Sequence, residues 1–243
     1  MRNLYAQPVL QPQSASWFAQ RLDLFNKAYD HTALMAMPWM EGAFRYVSVA
    51  NRRYGPEWLS GNQNYKDKSI DLKIRLLQES RWVPEVSAGF RDLGGTGLFS
   101  SEYLVASKRM GAFDASLGLA TGYIGNRGDF KNPLTAIDDR FETRPGATTT
   151  GTLNSDGMFR GPVGIFGGVA YQTPWEPLQL KLEYDGNDYK REPRNNNLTQ
   201  RTPINVGLVY VPNRNVELTA AWERGDAAMF SLTLRGNPGG ASA

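Results

Sequence analysis

The stretch RDLGGTGLFSSEYLVASKR, from Arg91 to Arg109, decides how the sequence is interpreted. Three of the four residues from Gly94 to Gly97 are glycine, which adopts positive φ without steric cost and therefore suits a tight reversal. Apolar and polar residues alternate along 85–91, and an extended, β-prone run covers 102–109. A phosphate-binding loop would need a helix directly after the glycines, and no helical apolar period follows. The stretch therefore predicts a strand–turn–strand hairpin.

The same two-residue period recurs along most of the chain. It is strongest at 70–76, 113–123, 178–184 and 216–222. Because successive side chains of a strand point to opposite faces, each of these segments has one apolar and one polar face. About twelve strands and no amphipathic helix predict an antiparallel all-β fold. Weaker examples of the period lie at 18–25, 32–37, 40–47, 163–172, 204–211 and 228–235.

The connections between these strands alternate between short and long. If the first strand runs upward, the tight turns all fall at one end and the long loops at the other. An even strand number, short periplasmic turns and long extracellular loops are typical of an outer-membrane β-barrel. The short connections lie at 38–39, 80–84, 110–112, 173–177 and 212–215, the longer ones at 48–67, 124–162 and 186–202, and brief ones at the glycine turn and at 225–226.

Aromatic residues are predicted at both strand ends, where a bilayer favours indole and phenol rings. The sequence thus predicts an antiparallel transmembrane β-barrel of about twelve strands. A soluble sandwich or barrel with its apolar face inward stays open, because alternation alone does not tell which face meets water. The aromatic residues are Trp39, Trp82 and Trp175 in tight turns, and Tyr46, Tyr123, Tyr184 and Trp222 near the opposite strand ends on the apolar face.

Composition narrows the function classes. Hydrophobic residues make up 41% of the 243 residues, too many for a disordered chain. The 27 basic and 24 acidic residues form no basic stripe, so nucleic acid is not an expected partner. The absence of cysteine excludes disulfides, thiolate zinc sites and cysteine nucleophiles from this sequence. The start, MRNLYAQPVLQPQ, lacks the apolar core of a signal peptide, so we expect either a cytosolic chain or one whose signal has been removed.

Few residues suggest catalysis. His31 is the one histidine, it is predicted in the connection after Tyr29–Asp30, and no GxSxG motif frames a serine. The segment IDDRFE, 137–142, is better explained as a solvated acidic loop than as a weak cation site. The sequence therefore predicts no enzyme activity and no cofactor, while an enzyme that uses His31 remains the alternative.

If the apolar faces meet lipid, the polar faces line a lumen. Their charges are mixed in sign, so neighbouring strands can pair them across the interior. A narrow polar lumen and a purely structural charge ladder both remain open, and the loop at 124–162 is long enough to fold inward and constrict the lumen. The candidate lumen-lining or polysaccharide-contacting residues are Arg45, Asp71, Lys73, Arg75, Arg91, Asp92, Glu102, Lys181 and Glu183.

A family resemblance rests on the opening stretch. RDLGGTGLFSSEYLVASKR, with YKDKSIDLKIRLLQES before it and FDASLGLATGYIG after it, resembles the YjbH family of exopolysaccharide and group 4 capsule outer-membrane proteins. The segment MPWMEGAFRY, at Met37–Tyr46, is similar to a second block of that family. The similarity runs from about residue 32 to about residue 125. Beyond residue 125, the chain fits the family only by its sequence pattern.

The resemblance implies an outer-membrane β-barrel that takes part in exopolysaccharide or capsule secretion, as a conduit or as a scaffold for the exporter. The implied location is the bacterial outer membrane. The implied partners are outer-membrane lipid, the exopolysaccharide chain, other polysaccharide-export proteins and a second barrel domain of a longer parent protein. The family supplies no catalytic residues. A plugged structural or carbohydrate-binding barrel without transport is the first alternative, and a soluble all-β binding protein is the second.

The predicted domain division has three parts. Residues 1–15 form an N-terminal extension, 16–236 a single β-barrel domain, and 237–243 a flexible C-terminal tail. We expect the barrel to be one unit because all-β barrels of this length are commonly single domains.

Overall fold

The computed structural model describes residues 27–37, 39–146, 155–195, 197–213 and 215–234. These residues form eleven β-strands. They are β1 Lys27–Met37, β2 Met40–Arg53, β3 Asn64–Leu77, β4 Glu85–Arg91, β5 Ser101–Met110, β6 Phe113–Gly122, β7 Gly164–Gln172, β8 Leu178–Tyr184, β9 Ile204–Asn213, β10 Val216–Glu223 and β11 Ala227–Leu234.

In the residues that the structure describes, helical structure is confined to short connecting segments. One four-residue α-helix, α1 Glu57–Ser60, lies between β2 and β3. Across the described ranges, no helix has the length and apolar character needed to span a membrane. Five 3₁₀ segments lie in the longer loops, at Pro133–Ala136, Asp139–Phe141, Ser155–Gly157, Tyr189–Arg191 and Pro193–Asn195.

All eleven strands belong to one sheet whose spatial order is the chain order. Every neighbouring pair is antiparallel, from β1–β2 to β10–β11. The predicted antiparallel all-β fold is therefore confirmed. No ladder joins β1 to β11 within the part of the chain that the structure describes, so this sheet is open rather than closed into a barrel. The predicted strand at 18–25 and both predicted terminal segments lie outside the described residues.

The hairpin of β4 and β5 matches its prediction. Arg91 is opposite Ser101, and the ladder continues without a register shift to Glu85 opposite Ser107. In the connection, Gly97 has a φ of 72°. A Cβ on Gly95 would collide with the carbonyl oxygen of Lys68 in β3, the strand beside β4. The glycines are thus explained by turn geometry and by close backbone approach.

The predicted asymmetry of the two sheet ends is confirmed. At one end, which we call the tight-turn end, the connections are short and include Trp39, Trp82 and Trp175, all exposed. The other end, the long-loop end, carries longer connections and one three-residue turn, Arg224–Asp226. The long-loop connections span 54–63, 92–100, 123–163, 185–203 and 224–226.

The two faces of the sheet differ sharply in exposure. On the apolar face, large side chains such as Leu117, 64% exposed, and Phe230, 82% exposed, point outward. On the polar face, Ser107 is 2% exposed and Glu223 is 4% exposed. The sheet therefore curves around its polar face. This is the reverse of a soluble sandwich, in which the apolar faces are buried against each other.

A small hydrophobic cluster lies on the polar face. Tyr103, Val105, Ala120, Ile124 and Phe166 are all buried there. The rings of Tyr103 and Phe166 meet edge to face with centroids 5.9 Å apart. Each ring lies over a glycine of the neighbouring strand, so the strands approach closely at this point.

Two sequence predictions about position are wrong. Tyr123 was expected on the apolar face, but it is buried edge to face against Phe99, with ring centroids 5.1 Å apart. The alternation ends at Gly122, whose φ of 73° turns the chain out of β6. His31 was expected in a connection, but it lies within β1, opposite Arg45.

Candidate functional site

The mouth of the polar interior is filled by one connection. Residues 185–203, between β8 and β9, form what we call the crossing loop, because it contacts strands far from its own. The Tyr123 hydroxyl donates to Glu192 Oε1 at 2.7 Å. The Arg194 guanidinium lies 4.3 Å from the ring centroid of Tyr65 in β3. These contacts reach β3 and the end of β6, so the crossing loop spans the concavity of the sheet.

The other side of the crossing loop is held by the β10–β11 turn. The Arg201 amide donates to the Arg224 carbonyl oxygen at 2.8 Å. The Arg224 guanidinium lies 5.2 Å from the ring centroid of Tyr189. Thr199 donates its hydroxyl to Asp226. The loop is therefore anchored on both sides of the opening.

Arg127 holds the two ends of the crossing loop together. Its guanidinium donates to the carbonyl oxygens of Asp185, at 3.2 Å, and Asn187, at 2.9 Å. It also donates to Gln200 Oε1 at 3.1 Å. One side chain from the β6–β7 connection thus fixes the start and the end of the loop. A planar guanidinium with five donors is suited to this kind of multiple contact.

Tyr189 lies at the centre of the site, 2% exposed. Burial, together with the negative charges of Asp185, Glu183, Glu192 and Glu223, raises the pKa of its phenol well above the usual value. The phenol therefore stays protonated and donates a hydrogen bond to Asp185. A neutral donor among carboxylates limits the repulsion that such a cluster would otherwise suffer.

Asp185 is the titratable centre of the crossing loop. Burial raises the pKa of its carboxyl to about 7, while hydrogen bonds from the Asn187 amide and the Tyr189 hydroxyl act to lower this pKa. The Asn187 amide lies 2.9 Å from Asp185 Oδ1. A carboxyl with this pKa is partly protonated near neutral pH.

The structure brings most of the predicted site residues to the polar face. Arg75 lies 3.9 Å from Glu85 in an ion pair, and Asp71 accepts the Asp92 amide at 2.9 Å. The Arg91 guanidinium lies 5.4 Å from the ring centroid of Tyr123. By register, Lys73, Lys181 and Glu183 belong to the same face, with Lys181 opposite Gly207. In the β2–β3 ladder, the backbone of Arg45 is opposite Ser69.

Asp92, in the glycine turn, and Glu102, in β5, are placed differently from the other predicted site residues. Asp92 is a buried loop residue whose carboxylate accepts the Phe99 amide at 3.0 Å, which fixes the glycine turn. Glu102 pairs with Phe90 and Thr121 and so belongs to the apolar face. Its carboxylate accepts two bonds from Arg144, at 2.8 and 2.9 Å, and the Thr121 hydroxyl at 2.7 Å.

This placement also corrects the expectation for the longest loop. The loop at 124–162 was expected to be able to fold inward. Beyond Arg127, its described residues instead fold against the apolar face, where Arg144 meets Glu102 and the Phe159 ring packs edge to face on Phe90, with centroids 6.0 Å apart. The physical reason is that the charge partner of Arg144 lies on that face.

Sequence reasoning missed Tyr189, Arg224 and Arg127 as organising residues. Each lies in a connection, where no periodicity indicates a direction. The segment IDDRFE behaves as expected of a solvated loop, since Asp138 accepts the Arg140 amide at 2.9 Å and Glu142 pairs with Lys131 at the surface. No group of three or more metal-ligating side chains is found in the described ranges.

The arrangement offers many hydrogen-bonding groups. Carboxylates, guanidinium groups, a phenol and hydroxyls surround the interior, and all of these hydrogen-bond to sugar hydroxyls. The crossing loop passes over the concave polar face at the long-loop end. A polymer that passed through this interior would therefore have to displace that loop.

Relatives were identified by sequence comparison. The chain is 46% identical over 211 residues to the uncharacterized lipoprotein YjbH of Escherichia coli K12, covering 86% of this chain and 30% of that protein. It is also 58% identical over 85 residues to the poly-beta-1,6-N-acetyl-D-glucosamine N-deacetylase of the same strain, covering 33% of this chain and 12% of that protein. The chain thus spans less than a third of the length of either relative. No solved structure matches the chain.

The family comparison covers most of the chain. The family described as exopolysaccharide biosynthesis protein YbjH matches residues 18–243, which includes every described strand. The opening stretch, from Arg91 to Arg109, lies within this match. Together with the identity to the lipoprotein of Escherichia coli K12, this match shows that the chain belongs to the YjbH family of exopolysaccharide biosynthesis proteins.

Proposed function

We propose that this chain forms an outer-membrane β-barrel that takes part in exopolysaccharide secretion, as a conduit or as a scaffold for the exporter. The observation that carries the proposal is the exposed apolar face around a buried polar face. The family membership supports the link to exopolysaccharide, and the lipoprotein name of the Escherichia coli relative supports an envelope location.

The physical argument concerns the large apolar side chains of the apolar face. Exposing them to water costs about 25 cal/mol per Å² of apolar surface, whereas hydrocarbon removes that cost. The strands have 7 to 14 residues, a range that brackets the roughly 9–11 residues that cross a bilayer when tilted. Trp175 lies at the tight-turn end and Trp222 near the long-loop end. If the strands cross a bilayer, these indole rings would lie near its two headgroup regions, where tryptophan is favoured.

Membrane insertion is tested by fractionation and gel migration. We expect the chain, expressed with an export signal, to be recovered from outer-membrane fractions only with detergent. We also expect its migration to differ between boiled and unboiled samples, as folded barrels resist the detergent. A chain that is released freely into the aqueous fraction would contradict the membrane proposal.

The crossing loop favours a second candidate, a plugged barrel that transports nothing. Conductance in planar bilayers separates the two candidates. We expect the wild-type chain to conduct weakly, and a variant in which 187–200 is replaced by a short Gly-Ser linker to conduct well above it. A silent linker variant that is still folded and inserted would favour the plugged structural barrel.

We further propose a non-catalytic role for this chain. The deacetylase name belongs to a relative of which the chain covers 12%. The test uses His31→Ala in a strain whose exopolysaccharide depends on the gene. Unchanged exopolysaccharide yield is expected, and a loss of yield with normal protein levels would point to the enzyme alternative.

A further inference from the structure

Three aromatic side chains lie in or next to the β2–β3 connection, outside the crossing loop. They are Tyr54 and Trp58 from the β2–β3 connection and Tyr65 from β3, and we call them the platform. Trp58 is 84% exposed and Tyr54 is 58% exposed. Exposed aromatic side chains grouped in this way are a common mark of a binding surface.

The platform is held in place by its neighbours. The Tyr54 and Tyr65 rings stack with centroids 5.8 Å apart and an interplanar angle of 28°. Arg194 of the crossing loop lies over Tyr65 at 4.3 Å. The Tyr54 amide donates to the Gln63 carbonyl oxygen at 3.0 Å, which closes the base of the connection. The Tyr54 and Tyr65 rings are therefore pre-organised, which lowers the entropy cost of binding.

The charge around the platform is mainly positive. Arg53 pairs with Glu57 at 3.0 Å, but both side chains are exposed and the pair is weak. Asp67 is fully buried and accepts the Thr96 hydroxyl at 2.8 Å. The cationic side chains beside the rings are Arg53, which pairs with Glu57, Arg194, which lies over Tyr65, and Arg52, which donates to the Asn195 carbonyl oxygen, against the carboxylates of Glu57 and Asp67. This excess of cations favours an anionic ligand.

We propose that the platform binds an acidic polysaccharide, with sugar rings stacked on Trp58 and Tyr54 and the acid groups near the arginines. The C–H groups on one face of a pyranose pack well on an indole or phenol ring, and carboxylates complement guanidinium groups. This inference rests on the proposed function, because it names the class of polymer that the chain would meet. Since Arg194 of the crossing loop lies over Tyr65 of the platform, a polymer bound there would also contact the crossing loop.

Affinity electrophoresis tests the proposal on the full, detergent-solubilised chain. Native gels would contain either polygalacturonate, an acidic polymer, or dextran, a neutral one. We expect polygalacturonate to retard the wild-type chain at least 5-fold more than dextran does, with retardation that weakens as salt is raised. Trp58→Ala and Tyr54→Ala should each lose most of this retardation.

Trp82→Ala is the matched control, because Trp82 is 82% exposed at the opposite end of the sheet. It should keep the wild-type retardation. Equal retardation of the wild type and Trp58→Ala, or equal retardation by both polymers, would overturn the proposal. Exopolysaccharide yield in a deletion strain complemented with Trp58→Ala or with the wild type is measured in parallel. Yield that depends on the wild-type gene, without platform binding, would overturn this inference and leave the proposed function standing.

Discussion

The loops at 123–163 and 185–203 leave the same end of the sheet and go to opposite faces. Beyond Arg127, the described part of the longer loop folds against the apolar face, where Arg144 and Glu102 form a nearly buried ion pair 2.8 Å apart. The shorter one crosses the polar interior. Length therefore does not decide which loop fills the interior. The position of each loop's charge partner decides it.

The two loops also differ in how firmly they are held. The Glu102 carboxylate accepts bonds from Arg144, the Thr121 hydroxyl and the Phe159 amide, so the buried charge is well satisfied. The crossing loop is held at its far side by the Tyr123–Glu192 hydrogen bond and by Arg194 over Tyr65. It also contains Asp185, whose pKa burial raises to about 7, so ionisation of this buried carboxyl disfavours the closed loop. We therefore expect the crossing loop to open more easily.

The largest effect is expected from breaking the anchor of the longer loop. Glu102→Ala should lower the free energy of unfolding by about 3–5 kcal/mol, because it leaves the Arg144 charge buried without its partner. Denaturant unfolding in detergent measures this loss. Glu142→Ala is the control, since its pair with Lys131 is exposed, and it should cost no more than about 1 kcal/mol. Equal losses in the two variants would contradict the distinction between the loops.

The next effect concerns the pH dependence of the crossing loop. The pKa of Asp185 is raised from 3.8 to about 7, so between these two values the folded chain binds more protons than the unfolded chain. The free energy of unfolding therefore decreases as pH rises from about 4 to 7. Asp185→Asn should remove this slope, which amounts to at most about 4 kcal/mol at 1.36 kcal/mol per pKa unit. Unfolding of both proteins at a series of pH values measures the difference. Parallel curves for the two proteins would show that Asp185 does not titrate as described.

The smallest effect is expected at the far side of the crossing loop. Arg194→Ala removes the contact with Tyr65 and should cost roughly 0.5–2 kcal/mol of local stability. Hydrogen exchange should become faster in 185–203 and stay unchanged in 123–163. Arg144→Ala should give the opposite pattern. Faster exchange in both loops after either change would mean that they open together.

The strands and the two kinds of sheet end were predictable because alternation and turn residues are local signals. Glu102 and Leu104 are two residues apart in β5, so strand alternation puts both on the apolar face. The position of Glu102 could therefore have been predicted from the sequence. Tyr123 was misplaced because the alternation stops at Gly122. The destinations of the loops were not predictable, because Arg144 and Glu102, or Arg194 and Tyr65, are far apart in the chain and no local pattern joins them.

The strict chain order of the strands has a consequence for assembly. Each strand pairs with the next one along the chain. Forming a ladder therefore requires only the closure of the connection between two consecutive strands. Closing a short loop costs little chain entropy, and long-range pairing is what slows the folding of most β-proteins. The sheet can therefore grow one hairpin at a time. The crossing loop has partners on β3, at Tyr123 just after β6 and in the β10–β11 turn, so all of its contacts can form only once these elements are in place.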